Sequence, residues 1–107
     1  MACGMIRPIP QLCRTMSEVR QGVDSLDAML VDLLAERFAY MRAAARIKTE
    51  RGAVRDEDRK AQVIANAVEQ ARAVAVPEDA VAAMWEGLVE ASIAYEQNTW
   101  DRLRSKD

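Results

Sequence analysis

The chain has 107 residues, with two cysteines, no histidine, 15 basic and 17 acidic side chains, and half of its residues apolar. Those totals suit one compact domain whose core stays small unless a second chain completes it. The lack of histidine excludes a Ser-His-Asp triad, a Cys-His pair and a histidine-rich transition-metal site, and a net charge of −2 with interspersed signs lacks the broad basic excess of a nucleic-acid binder.

The opening stretch, residues 1–16, reads MACGMIRPIPQLCRTM. Pro8 and Pro10 punctuate it and its pattern fits neither helix nor strand, so it is expected to be a flexible arm, loose or draped on a partner. Cys3 and Cys13 are read as free thiols, since one pair in this segment cannot scaffold a domain of this length. No apolar run approaches the roughly 18 residues of a membrane span, and the opening does not resemble a signal peptide. A cytoplasmic protein with no membrane partner is expected.

From Ser17, read as an N-cap, the apolar positions Val19, Val23, Leu26, Leu30, Leu33, Leu34, Met41, Ala45 and Ile47 recur mostly at three- and four-residue steps. This spacing predicts one helix of roughly 30 residues, some 45 to 50 Å long. Such a helix projects beyond any core this chain could build alone, so its far end is expected to pack on a second copy. Around Gly52 the periodicity breaks, and Asp56, Glu57 and Asp58 then place acidic charge at the positive end of a second helix. That helix should run through Val63, Ile64, Ala67, Val68 and Ala71 and stop before Pro77, which suits the first turn of a third. The third carries Val81, Trp85, Leu88, Ser92, Tyr95 and Thr99 at helical steps, with Trp100 and Leu103 near its end. The fold class is therefore all-α: a flexible arm over 1–16, then one helical domain over 17–107.

Five polar residues placed within these helical stripes are candidates for binding: Arg20, Arg37, Lys48, Arg59 and Gln97. Arg37 and Lys48 are eleven residues apart, so on one helix they share a face to within about 20° and lie roughly 16 Å apart along the axis. Met41 and Ala44 fall between them and would floor a small anion pocket. Arg20 lies about 100° around the helix from Arg37 and roughly 25 Å along it, too far for one small ligand to touch both in the same chain. It could serve the pocket of an antiparallel partner, giving two shared sites per dimer. Each residue also has an ordinary reading. Arginines on long helices are mostly solvated or ion-paired, Arg59 could simply pair with Asp56, and Gln97 could be a satisfied interface amide.

In order and spacing, V-R-Q-G-V-D around Arg20, L-L-A-E-R around Arg37, A-A-A-R-I-K ending at Lys48, V-R-D-E-D-R ending at Arg59 and Y-E-Q around Gln97 resemble the all-helical chorismate mutase family, including its isochorismate pyruvate lyase branch. The resemblance covers about Ser17 to Trp100. It implies an intertwined homodimer of three-helix chains with shared active sites and a small dicarboxylate substrate. It further implies that the partner's Arg20 equivalent and the local Arg37 grip the substrate carboxylates, that Arg59 helps close the site, and that Lys48 and Gln97 hydrogen-bond the ether oxygen. A pericyclic reaction needs no enzymic nucleophile, metal or cofactor, so none is expected. Chorismate-to-prephenate conversion is the leading expectation. The lyase reaction, isochorismate to salicylate and pyruvate, stands close behind, because Lys60 occupies the position where many such mutases carry glutamate and the Lys48–Arg59 loop is short. A helical dimerisation module without catalysis is the remaining alternative.

Overall fold

The computed structural model describes residues 7–105, which fall into two units, Met1–Ala39 and Tyr40–Asp107. Cys3 and the first six residues of the expected arm lie outside the described residues. Three α-helices are formed: α1 (Met16–Ile47), α2 (Glu57–Ala73) and α3 (Glu78–Leu103). No strand occurs among the described residues, so the chain is all-α.

In the first unit, Pro10–Leu12 make a single 3-10 turn, with proline's fixed φ at its opening position. The helix α1 begins at Met16, two residues before the Glu18 start that a Ser17 cap would give, and the reason is chemical. Thr15 Oγ1 accepts from the Glu18 N–H at 3.1 Å while Glu18 Oε1 accepts from the Thr15 N–H at 3.2 Å. This reciprocal pair satisfies two donors at once, which Ser17 does not do. The N–H of Arg14, and then the hydroxyl and N–H of Thr15, hold the Glu18 carboxyl below the usual carboxylate range. Cys13 is a free, half-buried thiol beside a cavity of about 280 Å³ that is bordered by Pro8, Pro10, Val19, Val23 and Leu26. Along α1 the apolar stripe stays uncovered, with Leu30 56% and Leu33 62% exposed.

The second unit holds the core. Asp56 caps α2 by accepting the Arg59 N–H at 3.0 Å, as the acidic run predicts. At its other end α2 closes with a Schellman turn: the N–H of Val76 reaches the Ala71 carbonyl at 2.9 Å and that of Ala75 reaches Arg72 at 3.4 Å. Ala75 takes φ +60 there, a position glycine usually fills, so the stop carries no glycine signal in the sequence. Pro77 then sits just outside α3, as its N-cap, instead of in its first turn. The helices α2 and α3 pack together around Val54, Val89 and Ile93, with Val63 and Ile64 against them.

The buried face of α3 differs from the expected stripe. Val81, Ser92 and Thr99 are buried as read, but so are Val89, Ile93 and the acidic Glu96, while Leu103 is exposed. The hydroxyls of Ser92 and Thr99 donate to the carbonyls one turn back, at 2.7 and 2.8 Å, which satisfies each buried donor within the helix.

Candidate active site

The sequence places Arg20 and Arg37 on α1 within the first unit, Arg20 exposed and Arg37 half-buried. Lys48, Arg59 and Gln97 belong to the second unit. Lys48 follows the last residue of α1, yet its N–H still joins the helical ladder through the Ala44 carbonyl at 2.9 Å. Its backbone is therefore fixed by the helix while its side chain leaves the end of it.

The Lys48 ammonium lies 2.7 Å from Oε2 of Glu96 on α3. That oxygen is fully buried, and the approach makes an ion pair off the angle of a hydrogen bond. The lysine side chain is 31% exposed, so one end of the pair reaches solvent while the carboxylate does not. An ammonium carries three donors, and an ion pair with Glu96 on one side leaves N–H groups for another acceptor. The Lys48 carbonyl accepts from Trp100 Nε1 at 3.0 Å and from Arg104 Nη2 at 2.7 Å. Gln97 is half-buried on α3 between Glu96 and Trp100, two of the three residues that touch Lys48. Of the five candidates, Lys48 and Gln97 are thus linked only through that stretch of α3, with no direct bond between them among the contacts described.

Arg59 makes its contacts along its own helix: besides its N–H to Asp56, its guanidinium donates to Gln62 Oε1 at 2.6 Å. The expected charge pairing with Asp56 is instead a backbone cap, because a residue three positions after an N-cap presents its N–H to the capping side chain. Lys60, the next residue, is held by Glu86 and Glu90 of α3, each at 2.7 Å. Those carboxylates raise the lysine above its ordinary value, Glu86 contributing most. Arg55 adds a two-pronged pair to Glu90, at 2.7 and 3.0 Å, so that Glu90 is held down at about 2, chiefly by Arg55 and then by Lys60.

Sequence reasoning missed Glu96, Trp100 and Arg104 as neighbours of Lys48, and also the bond from Arg42 to the Tyr95 hydroxyl at 2.9 Å, which lowers that phenol below its usual value. A signal existed for the first three: acid, indole and guanidinium recur at four-residue steps on one helix face.

The class defined by these features is an all-α chain with a lysine delivered from the end of one helix onto the polar edge of another. The chorismate mutase type II model matches residues 19–97, and the chain belongs to that all-helical family. No curated protein matches it. The matched span contains all five candidate residues, from Arg20 to Gln97. Among the described residues, no helix is long and apolar enough to cross a membrane.

Proposed function

We propose that the chain is a pericyclic enzyme that converts chorismate to prephenate in a site shared between two copies. The observation that carries this is that Lys48, in a chain of the chorismate mutase type II family, meets α3 through Glu96 and Trp100, the stretch of that helix that also carries Gln97. In the rearrangement a C–O bond breaks as a C–C bond forms, electrons move in a ring within the substrate, and negative charge grows on the ether oxygen. Lys48 and Gln97 donate to that oxygen. Donors of this kind in a partly dry site supply roughly 1.5 to 3 kcal/mol when charged and about 1 kcal/mol when neutral, together about two to three powers of ten in rate. Arg37 and Arg59 of one chain and Arg20 of the other hold the two carboxylates and select the compact, reactive conformer.

The second copy is supported by the uncovered stripe on α1, where Val23, Leu26, Leu30 and Leu33 are exposed. Laying two such helices antiparallel buries the stripe and brings Arg20 of each toward the middle of the other.

A lyase reading, isochorismate to salicylate and pyruvate, is favoured by one observation: Lys60 stands where many related mutases carry glutamate, and its ammonium is committed to Glu86 and Glu90. No carboxylate meets the substrate hydroxyl from that position.

Purified protein is incubated with chorismate and, separately, with isochorismate. Loss of chorismate absorbance with prephenate formed is the expected result; salicylate fluorescence from isochorismate alone assigns the lyase reaction. Turnover of neither substrate overturns the enzymic reading and leaves a helical dimerisation module.

A further inference from the structure

Three side chains of α3 converge on Lys48. Glu96, Trp100 and Arg104 are four residues apart, so they stack along one face running from α3 into the residue that follows it. Glu96 takes the Lys48 ammonium at 2.7 Å, and Trp100 and Arg104 both donate to its carbonyl, at 3.0 and 2.7 Å. Arg104 also donates to the Ala45 carbonyl at 3.1 Å, and its guanidinium lies over the Trp100 ring with 4.2 Å to the centroid. The carbonyls concerned are acceptors that the last turn of α1 leaves without helical partners, at the end of the helix where a cation is favoured.

One helix therefore holds a single lysine at both ends, backbone and ammonium. An exposed ion pair would fix little, but Glu96 is only 4% exposed, and a buried carboxylate tolerates few positions for its counter-ion. The Arg104–Trp100 stack restricts both donors further, since a guanidinium resting on a ring keeps its fork in one plane.

We propose that Glu96, Trp100 and Arg104 form a positioning cradle that fixes the Lys48 ammonium where the developing charge of the reaction appears. The three are positioning residues: they act through Lys48 and do not touch the reacting atoms. This rests on the reading of Lys48 as a donor to the ether oxygen. A four-carbon stem without the cradle samples many positions, and its ammonium then meets the transition state in a small fraction of them. Substrate affinity, carried by the arginines, changes less than turnover.

The test measures kcat, KM and thermal midpoint for Glu96→Gln, Trp100→Phe, Arg104→Lys and Arg104→Ala, with Lys48→Ala and Lys48→Ala/Glu96→Gln alongside, on whichever substrate the protein turns over. Glu96→Gln and Trp100→Phe are expected to lower kcat about tenfold or more with KM within about threefold, because misplacing a group that acts in the transition state costs turnover first. Arg104→Lys, which keeps the charge but not the fork, should lose less than Arg104→Ala. Adding Glu96→Gln to Lys48→Ala should cost nothing more, the signature of a residue working through another. Unchanged kcat per folded molecule in the Trp100→Phe and Arg104→Lys variants, which keep a ring and a cation in place, overturns the cradle and leaves a helix-end clasp. So do additive losses in the Lys48/Glu96 pair. Full turnover by Lys48→Ala overturns the reading beneath it, an outcome distinct from either.

Discussion

Lys48 and Glu96 are bound to one another energetically as well as geometrically. Removing the lysine strands a carboxylate that is 4% exposed, and such a group costs more alone than the pair contributes together. Lys48→Ala is therefore expected to lose about 1 to 3 kcal/mol of stability, less than a wholly buried pair because the ammonium keeps access to water. Adding Glu96→Gln should return most of that stability and none of the activity. Denaturant midpoints of the two variants, measured with turnover, check this; a double variant as unstable as the single one refutes it. Lys48 was legible as a candidate from its spacing to Arg37. Glu96 was not, because an acidic residue is ordinarily placed on the solvated side of a helix, and only the position of Lys48 makes the buried side tolerable to it.

Within the helices, the α2–α3 pair shows what sequence can and cannot specify. Asp56 and the acidic turn after it mark the start of α2, and Pro77 marks the start of α3, since capping and proline geometry are local. The end of α2 has no such local mark, because Ala75 occupies a left-handed position without the glycine that would announce it. The ties from Arg55 and Lys60 to Glu86 and Glu90 are long-range and depend on the packing of the two helices, so no spacing rule exposes them. Their pH dependence has a definite sign. Glu90 sits at about 2 in the fold against an ordinary 4.5, so its contribution is complete above 4.5 and fades as the pH falls toward 2. Glu90→Gln should be less stable than the parent near neutrality, with the difference closing across that acid window and shrinking in high salt. Denaturant midpoints at a series of pH values measure it; a difference independent of pH would show that the pairs contribute nothing.

For the molecule as a whole, the apolar residues that are buried among those described, Ala45, Val54, Ala71, Val81, Val89 and Ile93, all belong to the second unit. The long apolar stripe of α1 has no comparable shelter, which is the same mismatch that the overlong helical period exposes in the sequence. If a second copy supplies the cover, folding and association are one equilibrium. The thermal midpoint should then rise with protein concentration over about a hundredfold range, as mass action requires. A midpoint independent of concentration, with a monomer by light scattering, contradicts it. In the proposed shared site, Arg20 and Arg37 would meet a ligand only with that second chain in place, which is why their spacing suggests a shared pocket that one chain does not complete.

The bond between Lys48 and Glu96 bears on what else competes for the pocket. A pocket built as proposed, from arginines and a lysine, would ordinarily soak up phosphate, sulfate and other small inorganic anions. With the Lys48 charge already answered by an internal carboxylate, such ions would gain less on entering, and a ligand would be sorted by where its oxygens fall.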